Sequence, residues 1–289
     1  MRVGRPILCV GQLTADTNVL LDGPLVRGDQ VTGRTTRTSG GTAAIVAHNA
    51  ALVGAEVFFH GHVGADEAGR DGVARLKAAG VTVGSTIKTV NSPEVVVLVE
   101  PGGERTMVAS SPMPDWTKLV IDPGAEDVVY FEAWPLLDDR SRDVYAGLIR
   151  AAAASGAFVA LDVCAARASS PERHAALISS LGLSLLLANT LEAAAYDLIG
   201  QRPAPVVIVH AGANPTTVVE HTNEFRVPVP PATVIDSTGA GDTFASGVLV
   251  ALSAGASCEE AVVRGHRAAS RVLAIQGGLL PLVQVSSAI

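Results

Sequence analysis

The chain has 289 residues and 29.5 kDa, with 48% hydrophobic, 17% charged and only 4% aromatic residues, a composition that can bury a substantial core and excludes an intrinsically disordered protein. Its formal charge of -7 argues against non-specific nucleic-acid binding, which depends on Lys and Arg neutralising phosphates. No apolar run approaches the roughly 18 residues that cross a bilayer, and residues 1–11 read as a short strand without a signal-peptide cleavage pattern, so no membrane contact and a cytoplasmic location are expected.

In chain order, a strand is predicted at 6–10 and a strand-and-turn segment without helix over 12–38. Helix 42–53, strand 57–60 and helix 67–79 follow. A second helix-free segment covers 86–111, with a hairpin formed by 94–100, the turn Pro101-Gly102-Gly103 and 104–110. Strands 128–131, 158–162, 183–187 and 206–210 then alternate with helices 138–155, 171–180 and 190–199, before helices 240–254 and 259–275 close the chain. Thr42 and Thr190 are predicted as N-caps, and Gly80 and Gly156 as helix stops. Alternation of this kind makes an α/β fold with a largely parallel sheet and helices on both faces, and several strands are continuously apolar, as strands covered on both sides are. Residues 12–38 and 86–111 are expected to form a small β lid, and 1–11, 39–85 and 112–289 the core. Cys9, Cys164 and Cys258 are widely spaced and lack CxxC or His partners at metal spacing, so neither disulfides nor a zinc site is indicated.

The strongest local signal is Asp236-Ser237-Thr238-Gly239-Ala240-Gly241-Asp242, followed by the apolar helix pattern of Phe244, Val248, Leu249 and Leu252. Small residues leading into a helix leave backbone N–H groups unpaired, and the helix dipole adds positive potential at the same end. The glycines keep side chains from the place where a phosphate would reach backbone, so the turn reads as an anion site. Asp242 also fits an ordinary first-turn acid, which stabilises a helix by a few tenths to about one kcal/mol. Phosphoryl transfer needs charge-neutralising donors and a carboxylate that accepts a hydroxyl proton, and this turn offers both.

These residues resemble the C-terminal signature of the ribokinase-like (PfkB) carbohydrate kinases. The N-terminal signature is matched by Gly40-Gly41-Thr42-Ala43-Ala44, Gly54-Ala55, the stretch from Gly61 to Gly69, Leu76 and Gly80-Val81, in order and spacing. Thr14-Ala15-Asp16, Asn189-Thr190-Leu191-Glu192 and His210-Ala211-Gly212 extend the likeness over nearly the whole chain. The resemblance implies a ribokinase-like three-layer α/β/α fold with a mostly parallel central sheet and a small β-sheet lid. It implies ATP-dependent phosphorylation of a hydroxyl of a sugar or sugar acid, with Mg2+. Asp242 would be the catalytic base, with Gly239, Ala240 and Gly241 as the anion hole. Asp16, Gly40 and Gly41 would bind substrate, and Asn49, or His48 beside it, would stand in for the polar residue that the family often carries where this chain has Ile45. Asn189, Glu192, Thr238, His210, Gly212 and Gly277 would hold the nucleotide, with Glu192 reaching the metal through water. Read without the family, Asp16 is a turn carboxylate, Gly40-Gly41 a flexible turn, Asn189 and Glu192 a helix cap, and Asn49 a packing residue.

Glu132, at the end of a core strand, and Arg105 and Arg167 are further candidates for ligand contact. Pro281 stands where a monovalent-cation ligand often lies in the family, so potassium activation does not follow. The two lid segments contain no Phe, Tyr or Trp, which favours a sugar-like ligand over a nucleoside. The alternatives are a nucleoside kinase of the same family and a catalytically silent sugar- or nucleotide-binding protein. No G-x-G-x-x-G follows the first strand, which argues against a dinucleotide-binding enzyme. An exposed lid sheet offers a surface on which two copies would pair across a two-fold axis.

Overall fold

The computed structural model describes residues 4–110, 114–124, 127–164, 170–275 and 278–282. The chain opens with strands β1 (Ile7–Gln12), β2 (Thr14–Leu21) and β3 (Gly33–Gly40), then α1 (Thr42–Leu52), β4 (Val57–Gly64), α2 (Glu67–Ala78), β5 (Thr82–Thr89), β6 (Glu94–Val99) and β7 (Arg105–Ser110). The second half runs β8 (Val128–Glu132), α3 (Arg142–Ala154), β9 (Phe158–Asp162), α4 (Pro171–Ser179), β10 (Leu185–Asn189), α5 (Thr190–Ala195), α6 (Leu198–Gln201), β11 (Val206–Ala211), β12 (Asn214–Glu220), β13 (Asn223–Val227), α7 (Ala240–Ser253) and α8 (Cys258–Leu273).

Nine strands form one sheet in the order β13-β12-β11-β10-β9-β8-β1-β4-β5, parallel except for β12 and β13 at one edge. Alternate residues of β1 feed opposite faces. Ile7 and Cys9 pack with Phe244, Val248 and Leu249 of α7, while Leu8 and Val10 pack with Tyr145 and Ile149 of α3. Burial on both sides explains why β1 is apolar without alternation. The second sheet, β3-β2-β6-β7, has four strands. Its β6–β7 hairpin has the predicted turn, and Val97 faces Met107 in register.

Several boundaries differ from the sequence reading. The first four residues of the segment 86–111 finish β5 on the edge of the large sheet, and β3 reaches Gly40. The helix expected at 138–155 starts at Arg142, because Asp138 folds back on the N–H and guanidinium of Arg140. The helix expected at 190–199 breaks at Asp197, which takes a left-handed conformation between α5 and α6. Neither predicted threonine is a cap. Gly41 precedes α1 with φ 95°, and Asn189 caps α5. The β12–β13 hairpin was not foreseen.

Candidate active site

The carboxyl ends of the central strands and the small sheet enclose a cleft of about 490 Å3, the position at which open α/β sheets bind ligands. The turn at 236–242 closes one end of it. The Asp236 carboxylate accepts the N–H of Thr238 (2.8 Å), and Gly239 adopts φ 68° as the N-cap of α7. A Cβ at Gly239 would collide with the backbone of Gly278, so glycine is required there for packing as well as for conformation. The Ala240 N–H is taken by Ser237 O (3.2 Å), which removes it from the expected anion hole. The N–H groups of Gly241 and Asp242 meet no acceptor among the described residues, as befits the first turn of a helix. Thr238 Oγ1, buried on the cleft wall, also lacks a partner among them.

Asp242 is half-buried and faces this space. Desolvation pushes its pKa up to about 7, assisted by Asp16 and Glu192, while Arg105 and the Thr42 hydroxyl pull it down. Asp16, on β2, sits across the cleft with Thr14 Oγ1 donating to its Oδ1, and burial raises its pKa to about 6. Gly40 leaves room for Asp16, because a Cβ there would fall on its carboxylate. Gly41 lines the cleft, and its positive φ together with its contact on Gln12 O excludes other residues. Glu132 ends β8 and accepts N–H bonds from Gln12 (2.8 Å) and Ala43 (3.0 Å), yet complete burial raises its pKa to about 8.

On the other side, Asn189 and Glu192 form a reciprocal cap: Asn189 Oδ1 accepts the Glu192 N–H, and Glu192 Oε2 accepts the Asn189 N–H (2.8 Å). The cap does not place Glu192 on the surface. It is 5% exposed, lines the cleft, and its pKa is raised by burial and by Asp162. His210 lines the same end, and burial holds its pKa near 4, leaving the imidazole neutral at physiological pH. Arg105 reaches down from the lid, donating from Nη1 to Ser237 Oγ (2.8 Å) and O (3.2 Å), and Ser237 Oγ donates to Gly103 O (3.0 Å). The lid hairpin is thereby tied to the anion turn.

Two expected site residues stand elsewhere. Asn49 is wholly buried and turned away from the cleft, its side chain bonded to Thr243 Oγ1 (2.8 Å), Gly278 O (3.2 Å) and Leu280 N (3.1 Å). It holds the chain at 278–280 against α7 and does not replace the polar contact missing at Ile45, which presents an apolar side chain to the cleft. Gly212, at φ 60° in the β11–β12 turn, does not line the cleft. Gly277 and Arg167 lie outside the described residues.

The sequence reading missed Asp162 and Trp134. Asp162 ends β9 in register with Glu132 and lines the cleft, where burial and the charge of Asp242 raise its pKa. The signal that pointed to Glu132, a carboxylate at the carboxyl end of a core strand, applied equally to it. Trp134 follows β8 in a 3-10 turn, and the opposite wall carries Val95, Val97, Met107 and Ala109 of the lid.

Among the described residues, no three His, Cys, Asp or Glu side chains converge closely enough to hold a metal ion by themselves. Asp162 and Glu192, which line the cleft together with Asp242, fit a cation that keeps most of its water and phosphate ligands, as Mg2+ does.

A mostly parallel three-layer α/β/α core, with a β lid over an acidic cleft and a bare helix N-terminus at its end, is the ribokinase-like kinase fold. An adenosine kinase from Sinorhizobium meliloti superposes with a TM-score of 0.81 at 22% identity, over 98% of this chain and 97% of that one. The model of the pfkB family carbohydrate kinases matches residues 5–283, and the chain belongs to that family. Curated relatives align over shorter stretches. An adenosine kinase from Schizosaccharomyces pombe is 32% identical over 95 residues, 32% of this chain and 28% of that protein. A 2-dehydro-3-deoxygluconokinase from Escherichia coli is 44% identical over 55 residues, 19% of this chain and 18% of that protein.

Proposed function

We propose that this protein transfers the γ-phosphoryl group of ATP, in line, to a hydroxyl of a sugar-like substrate, with Asp242 as the base. The observation that carries this reading is the pairing, in one cleft, of a carboxylate and unpaired N–H groups at the start of α7 with Asp16 and Gly41 opposite. Asp16 would fix substrate hydroxyls, and Asp242 would accept the proton of the hydroxyl that attacks. The N–H groups of Gly241 and Asp242 would stabilise charge on the transferring group, and the Thr238 hydroxyl would donate to a phosphate oxygen. Asn189, Glu192 and His210 would flank the nucleotide. Mg2+ would neutralise phosphate charge, held from Glu192 and Asp162 through water. The lid, fastened by Arg105 to Ser237, would exclude water as a competing acceptor.

Six carboxylates, those of Asp16, Glu94, Glu132, Asp162, Glu192 and Asp242, line the cleft, and its one arginine among the described residues is bonded to the anion turn. A neutral sugar therefore fits the Asp16 end better than a sugar acid. Trp134 and the apolar lid wall favour a second reading, a nucleoside whose base would pack there. Phosphorylation assays with ATP against neutral sugars, sugar acids and nucleosides separate these readings, and lack of turnover with all of them would leave a silent binding protein. In the same assay Asp242→Asn is expected to lower kcat by roughly 10²–10⁴-fold while the fold is kept. Near-normal phosphorylation by that variant would overturn the assignment of the base.

The outward face of the lid carries Val96 and Val108, 37% and 60% exposed and paired in register. Two copies would pair through this face, and light scattering of the full chain is expected to give a dimer mass. A monomer mass at working concentrations would rule this out.

A further inference from the structure

A second large cavity, of about 570 Å3, shares no lining residue with the cleft. It lies where α1, α7 and α8 meet the residues that lead into β1. Four arginines line it. Arg264, Arg267 and Arg271 stand three and four residues apart, on one face of α8, and Arg5 belongs to the residues that lead into β1. Arg5 is held by its N–H bond to Ser253 O (3.1 Å) and by the Phe158 ring, whose centroid lies 5.5 Å from its Cζ. None of the four forms an ion pair among the described residues. Among the described residues Glu56 is the one acidic side chain on the wall, Asn49, Ser246 and Ser253 add polar groups, and the rest is small or apolar, including Val53, Val250, Ala254 and Ala268.

In a protein of net charge -7, four mutually repelling cations around one hollow are an unfavourable arrangement unless an anion offsets them. Guanidinium groups match phosphate and carboxylate oxygens in paired, planar geometry, better than lysine would. The volume lies within the range of small-molecule sites, and the apolar wall suits a carbon skeleton. A flat basic helix face would merely be solvated, but here the arginines of α8 and Arg5 line one hollow. We propose that this cavity binds a phosphorylated small metabolite bearing at least two negative charges, at a site separate from the cleft.

Asn49 contributes to both neighbourhoods. It lines this cavity, and its amide donates to Thr243 Oγ1, which donates in turn to Gly239 O of the anion turn (2.7 Å).

The test is calorimetric titration of the full chain with 3-phosphoglycerate, the cleft being filled with Mg2+ and a non-hydrolysable ATP analogue. One binding event is expected, weakened by roughly tenfold or more in Arg267→Ala/Arg271→Ala, since two charge-assisted contacts are lost. The Lys/Lys counterpart should retain part of the affinity, all variants should keep the parent's sugar turnover, and the unliganded Ala/Ala variant, relieved of two repelling charges, should melt no lower than the parent. A crystal grown with 3-phosphoglycerate should show it between Arg5 and α8. No binding event, equal affinity in the Ala/Ala variant, or the chain's own residues filling the cavity in that crystal would each overturn the proposal.

Discussion

As the proposed base, Asp242 would serve a reacting hydroxyl only as a carboxylate, and a cleft that it shares with Asp16, Glu132, Asp162 and Glu192 makes that form costly. Burial raises its pKa to about 7, and Arg105 is the first of the influences that pull it back. A base must be ionised to act, so kcat/KM should rise with pH through about 7 and level off above. Removing the cation removes a stabiliser of the charged form, so in Arg105→Ala the rising limb should move to higher pH. The same change also unfastens the lid hairpin from Ser237, and kcat should fall as well. The pH profile of kcat/KM for both proteins is the measurement. A limb that stays in place when Arg105 is lost would show that this guanidinium does not set the ionisation of Asp242.

At the scale of elements, the strands and helices that carry the site were legible because their signals are local. Gly41 and Gly239 mark the starts of α1 and α7, and continuous apolar runs mark β1 and β8 to β11. The β12–β13 hairpin was hidden because Asn214, Pro215 and two threonines open β12 with no apolar run, so its pairing with β11 is tertiary. Arg105 was visible as a residue but not as a partner of Ser237, since the chain separates the two, and Asp162 passed as the end of an apolar strand. Asn49 failed for a different reason. Residues 43–50 of α1 are all buried, so the helix has no exposed face from which a site-facing side could be told by spacing. Three of its hydrogen bonds join α1 to α7 and to the chain at 278–280, and a fourth links Oδ1 to His48 Nδ1. Asn49→Ala would take the side-chain partner from Gly278 O and the Leu280 N–H and one of the two bonds of Thr243 Oγ1, at a cost of about 1–3 kcal/mol. Urea denaturation should register that loss while KM for the sugar stays at the parent value, and a raised sugar KM with unchanged stability would return Asn49 to the substrate site.

Across the whole molecule, the acids of the cleft and the buried histidines pull stability against pH in opposite directions. The pKa values of Asp16, Glu132 and Asp242 are raised by burial to about 6, 8 and 7, and those of Asp162 and Glu192 are raised by burial and by neighbouring carboxylates. For these groups the folded state binds protons more tightly than the unfolded chain. Their stabilising effect is complete below about pH 4 and is lost as pH rises through the folded values. Burial lowers the pKa of His62, His174 and His210 to about 4, and that of His48 and His266 in the same direction. These histidines make the unfolded chain the better proton binder up to about pH 6.5, so stability from them rises over the window in which stability from the acids falls. The two effects offset one another between about pH 4 and 6.5, and above that only the acids still titrate. Denaturation midpoints of the unliganded protein should therefore change little from about pH 5 to 6.5 and decline from there to about pH 8. Asp162→Asn removes one buried charge and lightens the repulsion on Glu192, so the decline should be shallower in that variant. Midpoints that climb through this upper range, or an equally steep decline in Asp162→Asn, would mean that the cleft acids are ionised at little cost in the folded protein.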